Sequence, residues 1–293
     1  MRASRFAGQA LVMGLAVTAV GALADAPAPP PSPAPSRAHV PLAPSPAASP
    51  APAPSPLPFA PGERLAFRMT YAHLLAGRAV IAVEPGLREG RPVYRLSLDV
   101  RSEGLFAWLF RYRVDDHTVA TWDPATGCSY GIEKHLREGR AARDQVVHID
   151  PVTGTVTVED AKIAQKVFQV GPCALDVFSA FFVARQRGLG RDGQLTVRVF
   201  DNGKVYDLPF RPIGYETLDL PLPLGRRLTQ VAEPVVPPGS GLFTQEGRLL
   251  VWVTADARRI PVRVRSKVPV GSVSGDLESY RSPSSPTMGR TPN

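Results

Sequence analysis

Cysteine is nearly absent from the chain: Cys128 and Cys173 are the only two among 293 residues. They form no C-x-x-C pair, which argues against thioredoxin-type exchange. No cysteine follows the N-terminal apolar run, so no thiol is placed to carry a lipid anchor. The chain also lacks a block of five like charges, a second long apolar run and a G-x-S-x-G elbow. Without the elbow or an assignable base, Ser179 reads as a capping or back-bonding serine, not a nucleophile. The net charge of +8 is spread along the chain. Nucleic-acid readers gather their basic residues, so no nucleic-acid partner is expected.

Four regions differ in composition. Residues 1–24 combine Arg2 and Arg5, an apolar stretch over 6–23 and an Ala22-Leu23-Ala24 exit. That is the pattern of a signal peptide cleaved near Ala24. The stretch barely reaches the ~18–20 residues of a membrane span and contains three glycines, so no transmembrane segment is expected in the mature chain. Residues 25–58 are mostly Pro, Ala and Ser, which cannot bury enough apolar surface to offset ordering entropy. They predict a disordered, extended tether at about 3 Å per residue. Residues 59–280 hold the core-forming patterns, and 281–293 read as a disordered tail. An exported chain, periplasmic or secreted, follows from this order. In such a compartment Cys128 and Cys173 can bridge, but spacing alone leaves open two separately buried thiols.

Within 59–280 alternation dominates. Tyr94, Leu96, Leu98 and Val100 fall on one face of a strand, with Arg95, Ser97 and Asp99 on the other. Glu84-Pro85-Gly86, Asp123 to Gly127, Asp150 to Gly154 and Asn202-Gly203 carry turn chemistry at hairpin spacing. Residues 176–187 predict a helix, with Asp176 as its N-cap and Gly188 as its end. It is apolar around most of its circumference, and so belongs inside the fold. Residues 104–110 are too bulky for a plain loop and suit either a short helix or a buried edge. The fold class expected is mainly β: an antiparallel meander forming a curved sheet or half-open barrel, with one buried helix across it.

Chemistry-bearing motifs are few. Gly188-Leu189-Gly190-Arg191-Asp192-Gly193 fits G-x-G-x-x-G but follows a helix and precedes a strand, the reverse of a phosphate-binding turn. His117 shares a strand face with Asp115, His135 with Glu133, and His148 with Asp150. Such pairs are incomplete as metal sites, so no metal and no cofactor is expected. The aromatics Phe106, Trp108, Phe110, Phe178 and Phe182 concentrate in the two non-strand segments. They are the candidate lining of an apolar ligand site.

Three stretches resemble the domain-of-unknown-function 3108 family of exported bacterial envelope proteins. They are Phe59-Ala60-Pro61-Gly62-Glu63-Arg64-Leu65 with Tyr71 and Gly77, Asp176-Val177-Phe178-Ser179-Ala180 with Arg185, and Leu250 to Val262 followed by Lys267 and Gly271-Ser272-Val273. The resemblance implies an exported protein with a partly open antiparallel barrel similar to periplasmic lipoprotein carriers. It assigns no catalytic residue. In its last stretch, Thr254 to Pro261 reads as a hairpin turn leading into a strand, with Trp252 facing inward. Together these readings point to a non-catalytic envelope protein holding a lipid-like ligand or an envelope partner in a concave β face. An enzyme acting on a wall polymer and a structural module with a filled core are the competing classes.

Overall fold

In a computed structural model of the protein, the described residues are 56–103, 113–189, 195–236, 248–267 and 272–283. The expected segment 104–110 lies outside them, as do residues 1–55 and 284–293.

The meander is there. β1 (Arg64–Tyr71), β2 (Leu74–Arg88), β3 (Arg91–Ser102), β4 (Asp115–Trp122), β5 (Ser129–Glu138), β6 (Ala141–Ile149), β7 (Thr155–Asp160) and β8 (Ile163–Gln169) pair in sequence. After β9 (Leu175–Asp176) and helix α1 (Val177–Arg187) come β10 (Leu195–Asp201), β11 (Lys204–Asp219), β12 (Arg226–Pro234), β13 (Leu249–Thr254), β14 (Pro261–Lys267) and β15 (Ser272–Arg281). β15 pairs with the free side of β1, which joins both halves into one 15-stranded sheet ending at β8 and β9. Every pair is antiparallel except β9 with β10. A parallel pair needs a crossover rather than a tight hairpin, and α1 supplies it.

The sheet is not closed into a barrel by hydrogen bonds, because β8 and β9 remain its edges. Side chains bridge the gap instead. Phe168 on β8 packs on Phe200 of β10 at 5.2 Å between ring centroids. Lys134 Nζ on β5 meets Asp201 Oδ1 at 3.1 Å, with both side chains buried. A disulfide joins Cys128, after the β4–β5 turn, to Cys173, just before β9, with the Cα atoms 4.9 Å apart.

Alternation sets the core. Leu65, Phe67 and Met69 of β1 and Leu96, Leu98 and Val100 of β3 are all buried, while Arg64, Arg68 and Arg95 between them are exposed. The chain enters through Phe59, which is buried against Phe182 (5.0 Å), Trp122 (5.5 Å) and Tyr94 (6.3 Å). Asn202 and Gly203 both take positive φ in the β10–β11 hairpin, as a type I′ turn requires.

One expected turn is absent. Glu84-Pro85-Gly86 lies within β2, paired with Tyr94 and its neighbours on β3, and the chain reverses later, at Glu89 and Gly90. β1 covers β2 only as far as Ala82. Pro85 therefore lies where β2 is an edge, and its missing N–H costs no ladder bond.

Candidate functional site

Helix α1 is built for burial at both ends. Asp176 caps its start: Oδ1 accepts from the backbone N–H groups of Phe178 and Ser179, both at 2.9 Å. Oδ2 accepts from the hydroxyls of Ser179 (2.5 Å) and Ser129 on β5 (2.6 Å). Complete burial pushes the Asp176 carboxyl above its ordinary value, against the pull of these four donors. Ser179 is thus a capping partner. At the other end Gly188 takes φ 68 and donates its N–H to Ala184 O. Arg259 closes the same end: its Nε donates to Arg185 O and its Nη2 to Gln186 O at 2.6 Å. The positive φ is what favours glycine at 188; a Cβ there would only come into ordinary contact with Arg259.

A buried ion pair ties the helix to the start and end of the domain. Arg185 Nη1 lies 2.5 Å from Glu63 Oε2, and Nη2 lies 2.8 Å from Oε1. The guanidinium also donates to Pro58 O (3.0 Å) and Arg258 O (2.9 Å), and Tyr280 OH donates to Glu63 Oε1 at 3.2 Å. Burial, then the charge of Glu63, raises the Tyr280 phenol above its usual range. Glu63, Arg185 and Tyr280 come from the first, middle and last parts of the domain. Sequence reasoning gave none of them a role, though a charge inside an apolar helix was a signal that a partner had to exist.

Between α1 and the sheet lies an apolar groove of about 180 Å³. Phe181, Ala184 and Leu189 form its helical wall, and Val251, Val253, Pro261 and Val264 face them from β13 and β14. Leu65, Phe67 and Met69 close its floor, and among the described residues no acidic side chain lines it. Phe178 and Phe182 line the groove, whereas Phe106, Trp108 and Phe110 lie outside the described residues. Trp252 is buried within the core cluster, as expected. Alternation puts it on the opposite face of β13 from the groove-lining Val251 and Val253. There its indole N–H donates to Glu216 Oε2 at 2.6 Å, and Arg263 and Arg265 stack near its ring.

The histidines are held on the outer face. Asp99, His117, His135 and Asp144 are successive cross-strand neighbours on β3 to β6. His117 Nδ1 pairs with Asp99 at 2.7 Å and His135 Nδ1 with Asp144 at 2.8 Å, with the two rings stacked. His148 lies 4.0 Å from Glu159. Among the described residues no group of three or more His, Cys, Asp or Glu is placed to hold a metal ion.

The family described as "Protein of unknown function (DUF3108)" matches residues 66–278. The chain belongs to the DUF3108 family. Its match begins just after Glu63 and contains the helix, the groove and most of the sheet. No curated protein matches the chain. The fold is similar to that of a β-barrel-like protein of the DUF1849 domain of unknown function from Brucella abortus, with 10% identity, 74% of this chain and 96% of that chain covered and a TM-score of 0.48. It is also similar to the hypothetical protein CT021 from Chlamydia trachomatis, with 10% identity, 81% and 95% covered and a TM-score of 0.33. At these scores neither likeness adds to the architecture described above.

Proposed function

We propose that this DUF3108 domain is a non-catalytic envelope protein that holds an apolar, lipid-like ligand in the groove between α1 and strands β12 to β14. The groove itself carries the reading: apolar side chains on opposing walls, an apolar floor and, among the described residues, no acid. A filled core would leave no such space. The volume of about 180 Å³ is near the ~150 Å³ of an apolar cavity that takes a benzene-sized molecule, and below the ~300–1,000 Å³ of drug-sized sites. The groove therefore suits part of an alkyl chain, with the remainder lying along its open side. Export is part of the same proposal. The Cys128–Cys173 bridge supports an oxidising compartment, and the arginine-flanked apolar run at residues 6–23 supports the route. Among the described residues no helix is long and apolar enough to cross a membrane.

The test is titration of the purified protein with a neutral environment-sensitive dye such as N-phenyl-1-naphthylamine. Saturable binding is expected, weakened at least about tenfold by Ala184→Trp, whose indole would occupy the groove. Binding that does not saturate, or that Ala184→Trp leaves unchanged, contradicts the assignment. Hydrolysis of peptidoglycan or ester substrates by the purified protein would contradict the non-catalytic part.

A further inference from the structure

The groove is apolar but not electrically neutral in its arrangement. Arg185, Arg259 and Arg263 reach it, the last with its guanidinium beside Trp252 on the other face of the sheet, and among the described residues no carboxylate lines it. Two of the three have acidic partners elsewhere. Arg185 is held by Glu63, and its remaining donors go to Pro58 O and Arg258 O. Arg263 pairs with Asp276 at 2.5 Å and lies 3.7 Å from Glu216.

Arg259 is different. Its Nε and Nη2 donate to the neutral carbonyls of Arg185 and Gln186 at the end of α1. Among the described residues it has no carboxylate within 4 Å, and no hydrogen bond engages its Nη1. Burial, and after it the neighbouring charge of Arg185, pulls the Arg259 pKa down from its ordinary value, and the charge of Asp256 acts the other way. The helix C-terminus offsets part of this excess through its own partial negative charge. It does not satisfy Nη1. An arginine keeps its proton at neutral pH, so the groove holds a fixed cation with donor capacity to spare beside an apolar slot.

We propose that the ligand is a single-chain anionic amphiphile, its alkyl chain in the groove and its carboxylate or phosphate head received by Arg259 at the C-terminal end of α1. This rests on the apolar-ligand reading of the same groove. Each part of the site then has a partner. The walls take methylenes, the free Nη1 donates to an oxyanion in a charge-assisted bond that outweighs the partial negative charge of the helix end, and among the described residues no acid lining the groove adds repulsion. A cationic amphiphile would place its charge against Arg259 and gain nothing from the walls that an anionic one does not.

The experiment compares two ligands of equal chain length, decanoate and decanol, as competitors of the neutral dye at pH 8. Both are titrated against the wild-type protein, Arg259→Gln and Arg259→Lys. Arg259→Gln should lower the decanoate-to-decanol affinity ratio by about five- to tenfold, the size expected of one partly exposed charge-assisted hydrogen bond. Decanol affinity should fall less than decanoate affinity, because an alcohol head gains no charge-assisted bond from Arg259. An unchanged ratio overturns the anionic-head assignment while leaving the apolar groove in place. Equal weakening of both ligands by Arg259→Gln is such an unchanged ratio and overturns the assignment too, whereas Arg259→Lys, which keeps the charge, should retain the preference for decanoate, and loss of that preference also overturns it. If neither ligand displaces the dye from wild-type protein, the apolar-ligand reading itself falls, and the head assignment with it.

Discussion

At the scale of single residues, burial decides which charges matter. Exposed pairs such as Arg101–Asp115 trade one aqueous setting for another and contribute little. Glu63 and Arg185 have left water altogether, so removing one strands the other. Glu63→Gln or Arg185→Met is expected to lower the unfolding free energy by about 3–5 kcal/mol in urea denaturation. The double replacement Glu63→Leu with Arg185→Met should cost less than the sum of the two single changes, since it strands neither partner. Additive losses would show that the pair is not coupled. Asp116 gives a prediction of opposite sign. Burial pushes its carboxyl up to about 6, against the backbone N–H of Arg137 at 2.8 Å, and its Oδ2 has no partner among the described residues. A folded value above the unfolded one favours the protonated form, so stability is fully present below about pH 4 and is lost as pH rises through about 6. Asp116→Asn should therefore be more stable than wild type by about 1–2 kcal/mol above pH 6, with the difference shrinking toward zero near pH 4. A difference independent of pH would contradict this account.

At the scale of elements, α1 depends on caps that were partly legible in the sequence. Asp176 and Gly188 stand where helix-end chemistry puts them, and Asn202-Gly203 turns where its positive φ values allow. These signals are local, so a single residue and its neighbours carry them. Pro85-Gly86 carries the same local signal and is no turn, because the deciding fact is how far β1 extends along β2. Trp252 is buried as its pattern predicts, but β13 is apolar on both faces, so alternation does not say which face meets the helix. The groove's helical wall follows from the apolar Phe181 and Ala184 being only partly buried in a helix whose other apolar side chains are buried, which no periodicity reports. Arg185, Glu63 and Arg259 meet only because the chain brings residues more than seventy positions apart together. The cap itself is testable. Asp176→Ala removes the acceptor of two backbone and two hydroxyl donors, all buried, and should cost about 2–4 kcal/mol. A loss below about 0.5 kcal/mol, the size of an exposed cap, would mean the network does not hold the helix in place.

At the scale of the whole molecule, one open sheet is held in shape by contacts across its unpaired edges. The disulfide links the meander's first half to the start of the second and closes a loop of sequence separation 45. By restriction of the unfolded chain it should contribute ~4 kcal/mol. Cys128→Ala with Cys173→Ala is expected to lower the midpoint of thermal unfolding by roughly 5–15 °C, and an unchanged midpoint would place the closure elsewhere. The helix packs on β9, β10 and β4 and leaves β12 to β14 partly uncovered, which is where the groove lies. The central claim is that this uncovered strip receives an alkyl chain. The most direct measurement is amide chemical-shift mapping of the isotope-labelled protein titrated with decanoate. The account predicts saturable shifts concentrated at Phe181, Ala184 and Leu189 on the helix side and at Val251, Val253 and Val264 on the sheet side. Shifts that fail to saturate, or that gather on the outer face around His117 and His135, would contradict it.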